Sequence, residues 1–216
     1  MSVRLCLFVV LAAGKGTRMK SSLPKVLHKI AGQSMLAHVL TTASRIEGGK
    51  IAVVVGPEMD AVGAEAVRVV PDARMFEQSA QRGTADAVLA AKAALDEQTG
   101  DDVVVLFGDT PLVRGDVIDR LRAALDSGAD IAVLGFRPKD PTGYGRLLID
   151  SSGALTGIRE ERDATDAERA IGLCNSGVMA FRVPRLSELL SQIGRANAKG
   201  EYYLTDAIEI ARKQGL

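Results

Sequence analysis

LCLFVVLAAGKGTRMKSSLPK, residues 5 to 25, is the stretch on which the reading of this chain turns. Leu5 to Leu11 is an unbroken apolar run rich in β-branched residues, which predicts a strand buried on both faces, as in a parallel sheet. The run stops at Ala12-Ala13-Gly14. Gly14 and Gly16 permit a tight turn whose backbone approaches a ligand with no Cβ in the way. Lys15, Thr17 and Arg18 follow, and Lys25 comes directly after Pro24. Exposed amides, small residues and positive charge after a strand make a site for phosphate oxygens.

Spacing excludes two commoner phosphate loops. A Walker A loop needs Gly five positions before its Gly-Lys pair, where this chain has Val9. A dinucleotide loop needs a third glycine, where this chain has Met19. A plain strand-to-helix turn with solvated charges is the other reading, although GKGTRM followed by PK is longer than a turn requires.

The rest of the chain alternates between the two regular structures. Residues 34–46 carry Met35, Leu36, Val39, Leu40 and Ala43 at helical spacing, with Ser34 as a cap. IAVVVG at 51–56 is a second buried strand, a helix covers about 59–69, and a short strand lies around Arg74 to Phe76. Gly83 to Leu95 is alanine-rich and reads as one helix, and DVVVLFGD at 102–109 is a third long strand that runs into a carboxylate. Strand and helix alternating in this way predict a doubly wound, mostly parallel, Rossmann-like α/β sheet. From about residue 130 the rhythm changes to strand-like pieces joined by Gly and Pro turns, which predicts a mixed or antiparallel extension. VPRLSELLSQI and the stretch after GEYYLT read as closing helices, the first with Pro184 in its opening turn and the second capped by Thr205 or a neighbour. We expect a single domain over 1–216, with a first part at 1–129 and a second part at 130–216.

Composition narrows the partners. Apolar residues at 47% and charged residues at 25% are ordinary for a soluble globular chain. Lys plus Arg equals Asp plus Glu at 27 each, so no net field favours nucleic acid or an anionic membrane. Aromatics are 4% with no Trp, which leaves little for base stacking. Cys6 and Cys174 lie far apart without metal-ligand spacing, as expected for a reducing cytosol. Arg4 and the apolar run mimic a secretory signal, but cleavage there would destroy the glycine loop. Cytoplasmic location is therefore the expectation.

In open α/β sheets, ligands lie beyond the carboxyl ends of the strands. Asp109 in FGDTP is at such an end and is a candidate Mg²⁺ ligand, since that ion takes carboxylates together with phosphate oxygens. A helix cap for the segment after Pro111 is the alternative use of the same residue. Opposite a phosphate loop, the metal reading is the stronger.

LAAGKGTRM followed by LPK resembles the signature of the sugar-1-phosphate nucleotidylyltransferases, in particular the uridylyltransferase domains of bacterial bifunctional uridylyltransferase/acetyltransferases. The resemblance continues in order through QRGTADAV, FGDTPL, DPTGYGR, CNSGV and GEYYLTD, covering nearly the whole chain. It implies the nucleotide-diphospho-sugar transferase fold and an Mg²⁺-dependent reaction. In that reaction a uridylyl group passes from UTP to N-acetylglucosamine 1-phosphate, giving UDP-N-acetylglucosamine and pyrophosphate for peptidoglycan and lipopolysaccharide precursors. It assigns Arg18 and Lys25 to catalysis and Asp109 to the metal. Leu11, Ala12, Ala13, Gly14, Gln78, Gly83 and Thr84 fall to the nucleotide, and Gly145, Glu160, Asn175, Tyr203 and Thr205 to the sugar. Each has an ordinary use too: Gly83-Thr84 as a helix start, Glu160 as a solvated acid, Asn175 as a turn residue.

The chain departs from the family pattern in places. Phe107 stands where a relative has Tyr, Asp86 stands where the family often has His, and GIREERD is unusually charged. The resemblance puts a second metal-binding side chain, an Asn, and an acetyltransferase half built as a β-helix beyond Leu216. With that half present a homo-oligomer is expected. Another sugar 1-phosphate, a cytidylyl or guanylyl transfer, or a silent nucleotide-sugar-binding module are the alternative functions.

Overall fold

A computed structural model describes residues 4–14, 16, 19–98 and 100–216 of the chain. Its first strand, β1 (Cys6–Leu11), is buried along its whole length. Alternate residues enter two separate cores: Leu7, Val9 and Leu11 on one face of the sheet, Cys6, Phe8 and Val10 on the other. A strand with helices against both faces has no polar side to show, which is why the run is continuous rather than alternating.

β1 sits between β4 (Gly49–Val55) and β6 (Asp102–Phe107), and β5 (Arg74–Glu77) lies outside β4, all in parallel. The helices α1 (Met35–Ser44), α2 (Asp60–Val69) and α5 (Gly115–Asp126) bury Leu36, Leu40, Val62, Ile118 and Leu125 in the Phe8 core. The opposite face is covered by α3 (Thr84–Ala90), α4 (Lys92–Asp96), α7 (Val183–Leu190) and α8 (Asp206–Lys213). Ser34 caps α1 as expected, its hydroxyl accepting from Ala37 N at 3.0 Å. The doubly wound, mostly parallel sheet is thus present.

The extension joins the same sheet. After β7 (Ile131–Phe136), β8 (Arg146–Ile149) and β9 (Leu155–Arg159), strand β10 (Cys174–Arg182) runs antiparallel to β6. Its second half lies between β6 and β7; near Cys174, beyond a bulge between Asn175 and Met179, it lies between β7 and β8. The sheet order is β5-β4-β1-β6-β10-β8-β9, with β7 also on β10. That register carries Asn175, Gly145 and Glu160 to the end of the sheet where β1 and β6 finish.

Four details differ from expectation. The helix read over 83–95 is two, broken at fully buried Ala91 (φ −87°, ψ 19°), and the break keeps both Val88 and Leu95 in the core. Lys29–Ile30 (β2) and Gln33–Ser34 (β3) form a small hairpin through Ala31 and Gly32, both at positive φ. Asp166–Arg169 is a short helix, α6, closed by a capping box between Thr165 and Glu168. Thr205 stands at the start of α8, yet its hydroxyl makes no cap bond. Among the described residues no helix is long and apolar enough to cross a membrane.

Candidate functional site

The carboxyl ends of the parallel strands are drawn together by main-chain bonds. Leu11 is level with Phe107 across the sheet, and Gly108 N donates to Leu11 O at 2.9 Å. Gln78, one residue past β5, is anchored by its own N–H to Val55 O at 2.8 Å. Above these ends opens a cleft with two bays, of about 380 and 230 Å³. Leu11, Ala13, Gly14, Lys25, Gln78 and Gly83 line the larger; Gly145, Glu160, Asn175 and Thr205 line the smaller. Thr84, Phe107 and Asp109 line both.

The glycine loop has two different glycines. Among the described residues a Cβ on Gly14 would meet nothing within 4 Å, so they leave an open wall there. Gly16 sits at φ 60°, and a Cβ there would come within 2.6 Å of Lys25 Cβ. Its smallness serves the close crossing of loop and Lys25. Ala12 does not line the cleft: its methyl is in the Phe8 core and its N–H donates to Val54 O, so it faces a ligand only through its main chain. Arg18, Lys15 and Thr17 lie outside the described residues.

Lys25 Nζ donates to Asp109 Oδ2 at 2.6 Å, at the junction of the bays. This settles the alternative use of Asp109, because the next helix, α5, starts at Gly115 with Arg114 in the cap position. Phe107 packs its ring on Gly177, where a Cβ would lie 2.7 Å from the ring, so a phenol oxygen is not needed for that contact.

Gly83 and Thr84 open α3, but a distant segment explains their identity. Tyr202 N donates to Arg82 O at 2.8 Å and Ala85 N donates to Tyr202 O at 3.0 Å. The Thr84 hydroxyl accepts from Leu204 N at 2.9 Å. Gly83 is at φ 123°, and a Cβ there would lie 2.4 Å from Tyr202 O.

In the smaller bay, Asn175 N donates to Gly145 O at 2.8 Å, and its side-chain Oδ1 accepts from Gly177 N at 3.0 Å, which leaves the NH2 end of the amide. Thr205 Oγ1 donates to Glu160 Oε1 at 3.4 Å instead of capping α8. Burial raises the Glu160 carboxyl above its usual range, and nearby Asp163 and Glu201 push the same way against the Thr205 bond and Lys199. Tyr203 is not brought to the cleft. It is buried, its hydroxyl has no hydrogen-bond partner among the described residues, and burial lifts it to about 12.

Gln81 and Glu201 are among the lining residues that the sequence does not single out. Gln81, at φ 45°, donates from Nε2 to Ala13 O at 2.7 Å across the larger bay, and Glu201 lines the same bay. Both lie inside quoted motifs, QRGTADAV and GEYYLTD, but chain folding far from the glycine loop is what brings them to the cleft.

A mostly parallel α/β sheet with a two-bay cleft over its carboxyl ends is the nucleotide-sugar transferase fold. UDP-glucose pyrophosphorylase complexed with UDP-glucose superimposes with a TM-score of 0.75 at 15% identity, over 97% of this chain and 88% of that one. A putative glucose-1-phosphate thymidylyltransferase from Bacillus anthracis in complex with a sucrose gives 0.76 at 19%, over 97% and 84%. The model of the MobA-like NTP transferase domain matches residues 8–171, and the chain belongs to that family. Over all 216 residues it is 60% identical to the "Bifunctional protein GlmU" of Azorhizobium caulinodans and 59% identical to that of Bradyrhizobium sp. strain ORS 278. The chain spans about half the length of these relatives, 48% in each case.

Proposed function

We propose that the domain catalyses attack of the phosphate oxygen of N-acetylglucosamine 1-phosphate on the α-phosphorus of UTP, forming UDP-N-acetylglucosamine. The new P–O bond forms as the α,β-bridging bond breaks, and pyrophosphate leaves with the electron pair. The observation that carries this reading is the meeting of two bays at Lys25 and Asp109. One bay has the amide and glycine wall suited to a nucleotide, the other the polar groups suited to a sugar. Whole-length identity to the two bacterial relatives supports the same reading.

The nucleophile is already an anion, so no general base is needed. What the reaction needs is alignment of two crowded phosphates and stabilisation of charge at the transferring phosphorus. Lys25 supplies a point charge at the junction. Arg18, which the family resemblance assigns to the same task, supplies a planar multi-donor fork. Gly14 leaves room for phosphate oxygens to reach the loop.

The donor set fits Mg²⁺ held in a particular way. Among the described residues there is no group of three His, Cys, Asp or Glu side chains able to cage a metal. Asp109 is the carboxylate at the junction, and Mg²⁺ is commonly held by one or two carboxylates with phosphates and water. When bound, the ion neutralises phosphate charge. Asp109 would hold it, and Lys25 would turn from Asp109 to phosphate. We place this chemistry in the cytoplasm, with UTP and the sugar phosphate as partners, and with a homo-oligomer where a β-helix half is joined to the domain.

Pyrophosphate release from UTP and N-acetylglucosamine 1-phosphate, with and without Mg²⁺, tests the reading, with cytidine and guanosine triphosphates and other sugar phosphates as comparison. Release that needs both named substrates and stops on chelation is expected; no release with any pair would reject it.

A further inference from the structure

Gln78 is buried, and among the described residues its amide is held at one end only. Nε2 donates to Gly83 O at 3.0 Å and to Asp86 Oδ2 at 2.8 Å. A main-chain carbonyl and an ionised carboxylate both lack a hydrogen to give, so the NH2 end must face them. Turning the amide over would set its oxygen against two other oxygens and strand both N–H groups.

Asp86 is itself immobilised. Its Oδ2 also accepts from Arg82 N at 3.2 Å, and its Oδ1 accepts from Arg82 Nε and Nη2 at 3.1 and 2.8 Å. It lies in the first turn of α3, where the helix N-terminus favours a negative charge. Burial pushes its carboxyl upward, but the bonds from Gln78 and Arg82 outweigh that and hold it below the usual range. It is thus an anion at neutral pH.

We propose that Asp86 is a positioning residue for base selection: by occupying the NH2 end of Gln78 it leaves only the carbonyl oxygen for the cleft. Gln78 becomes an obligate acceptor. The base that satisfies it presents an N–H at that point, as a keto-pyrimidine does with its protonated N3, whereas cytosine offers a bare N3 lone pair. The pair discriminates by chemistry of the ring edge, not by pocket volume. This inference rests on the proposed function, specifically on the base lying at Gln78.

The test is equilibrium binding of UTP and CTP, measured calorimetrically, to the chain and to variants. Asp86→Asn keeps the shape but carries both a donor and an acceptor, so of the two groups that fix the Gln78 amide only Gly83 O still does so. We expect the preference for UTP over CTP to fall by about ten- to a hundredfold, chiefly through tighter CTP binding. General loosening of the loop would weaken both nucleotides alike and leave the ratio unchanged. Asp86→Glu, which retains an ionised acceptor, is expected to keep most of the preference. If Asp86→Asn does not fold, Asp86→Ser tests the same point, since a hydroxyl also donates or accepts. Gln78→Ala separates the two layers of the argument. If it lowers UTP affinity while the Asp86 variants leave the ratio intact, the positioning role is overturned and the nucleotide site stands. If Gln78→Ala changes neither UTP affinity nor the ratio, the base does not lie at Gln78, and the proposal fails with the reading beneath it.

Discussion

Lys25 and Asp109, 84 residues apart in sequence, meet at 2.6 Å where the two bays of the cleft join. Their side chains are 40% and 27% exposed, so the ion pair contributes well under about 1 kcal/mol to folding. Its value lies in placing one cation and one anion where phosphates would crowd. Lys25→Ala and Asp109→Asn are therefore expected to cut turnover by roughly 10²- to 10³-fold. Thermal denaturation of the same variants is expected to move by no more than about 2–4 °C. Large losses of stability would mean the pair is structural.

Gly83 and Gly14, both lining the larger bay, should respond oppositely to a methyl group. Gly83→Ala forces a left-handed residue, at φ 123°, against Tyr202 O at 2.4 Å. Tyr202 cannot retreat, because its N–H and carbonyl are both bonded to the Arg82–Ala85 turn. We expect a cost of at least about 2 kcal/mol, seen as a fall of about 4–8 °C in melting temperature. Gly14→Ala meets nothing within 4 Å among the described residues and should melt like the parent.

How far the fold can be read from residues depends on how local each signal is. β1, β4 and β6 announce themselves because strands buried on both faces must be apolar throughout. The break at Ala91 is silent, since alanine is the best helix former and only tertiary packing bends the chain there. The short helix α6 was legible in principle: Thr165 and Glu168 spell a capping box, which the charged run before it obscures. In the site, the glycine loop and Asp109 follow strands that the apolar pattern shows, whereas Gln78 and Asn175 are indicated only by the family resemblance. Gln81 is not singled out, because its partner Ala13 is 68 residues away. Tyr203 shares a motif with Thr205, and of the two only Thr205 lines the smaller bay.

At the other end of β6, Asp102 is fully buried between two guanidinium groups. Arg4 donates to it from Nη2 and Nε at 2.6 and 2.8 Å, and Arg122 from Nε at 3.1 Å. Removing the anion leaves two cations facing each other over a buried strand end. Asp102→Ala is expected to cost about 3–5 kcal/mol in urea denaturation. Turnover per folded molecule should be unchanged, because the cleft lies at the opposite end of the strand.

Asp206, in the first turn of α8, makes a prediction about pH. The helix N-terminus favours its anion. Burial, then Glu209, Glu160 and Asp163, nonetheless outweigh that preference and the help of Arg159, lifting the carboxyl from 3.8 to about 6. The folded chain therefore holds this proton more tightly than the unfolded chain does. Its contribution to stability is full below about pH 4, where both states are protonated, and is lost as pH rises through about 6. Asp206→Asn removes the titration. Between pH 5 and pH 8 the group accounts for about 1 kcal/mol, so the fall in stability over that interval should shrink by about that amount. Glu160, raised in the same direction, remains in the variant and should keep part of the slope. Urea denaturation of parent and variant at pH 5 and pH 8 measures the difference. An equal fall in both chains would show that Asp206 ionises normally despite its acidic neighbours.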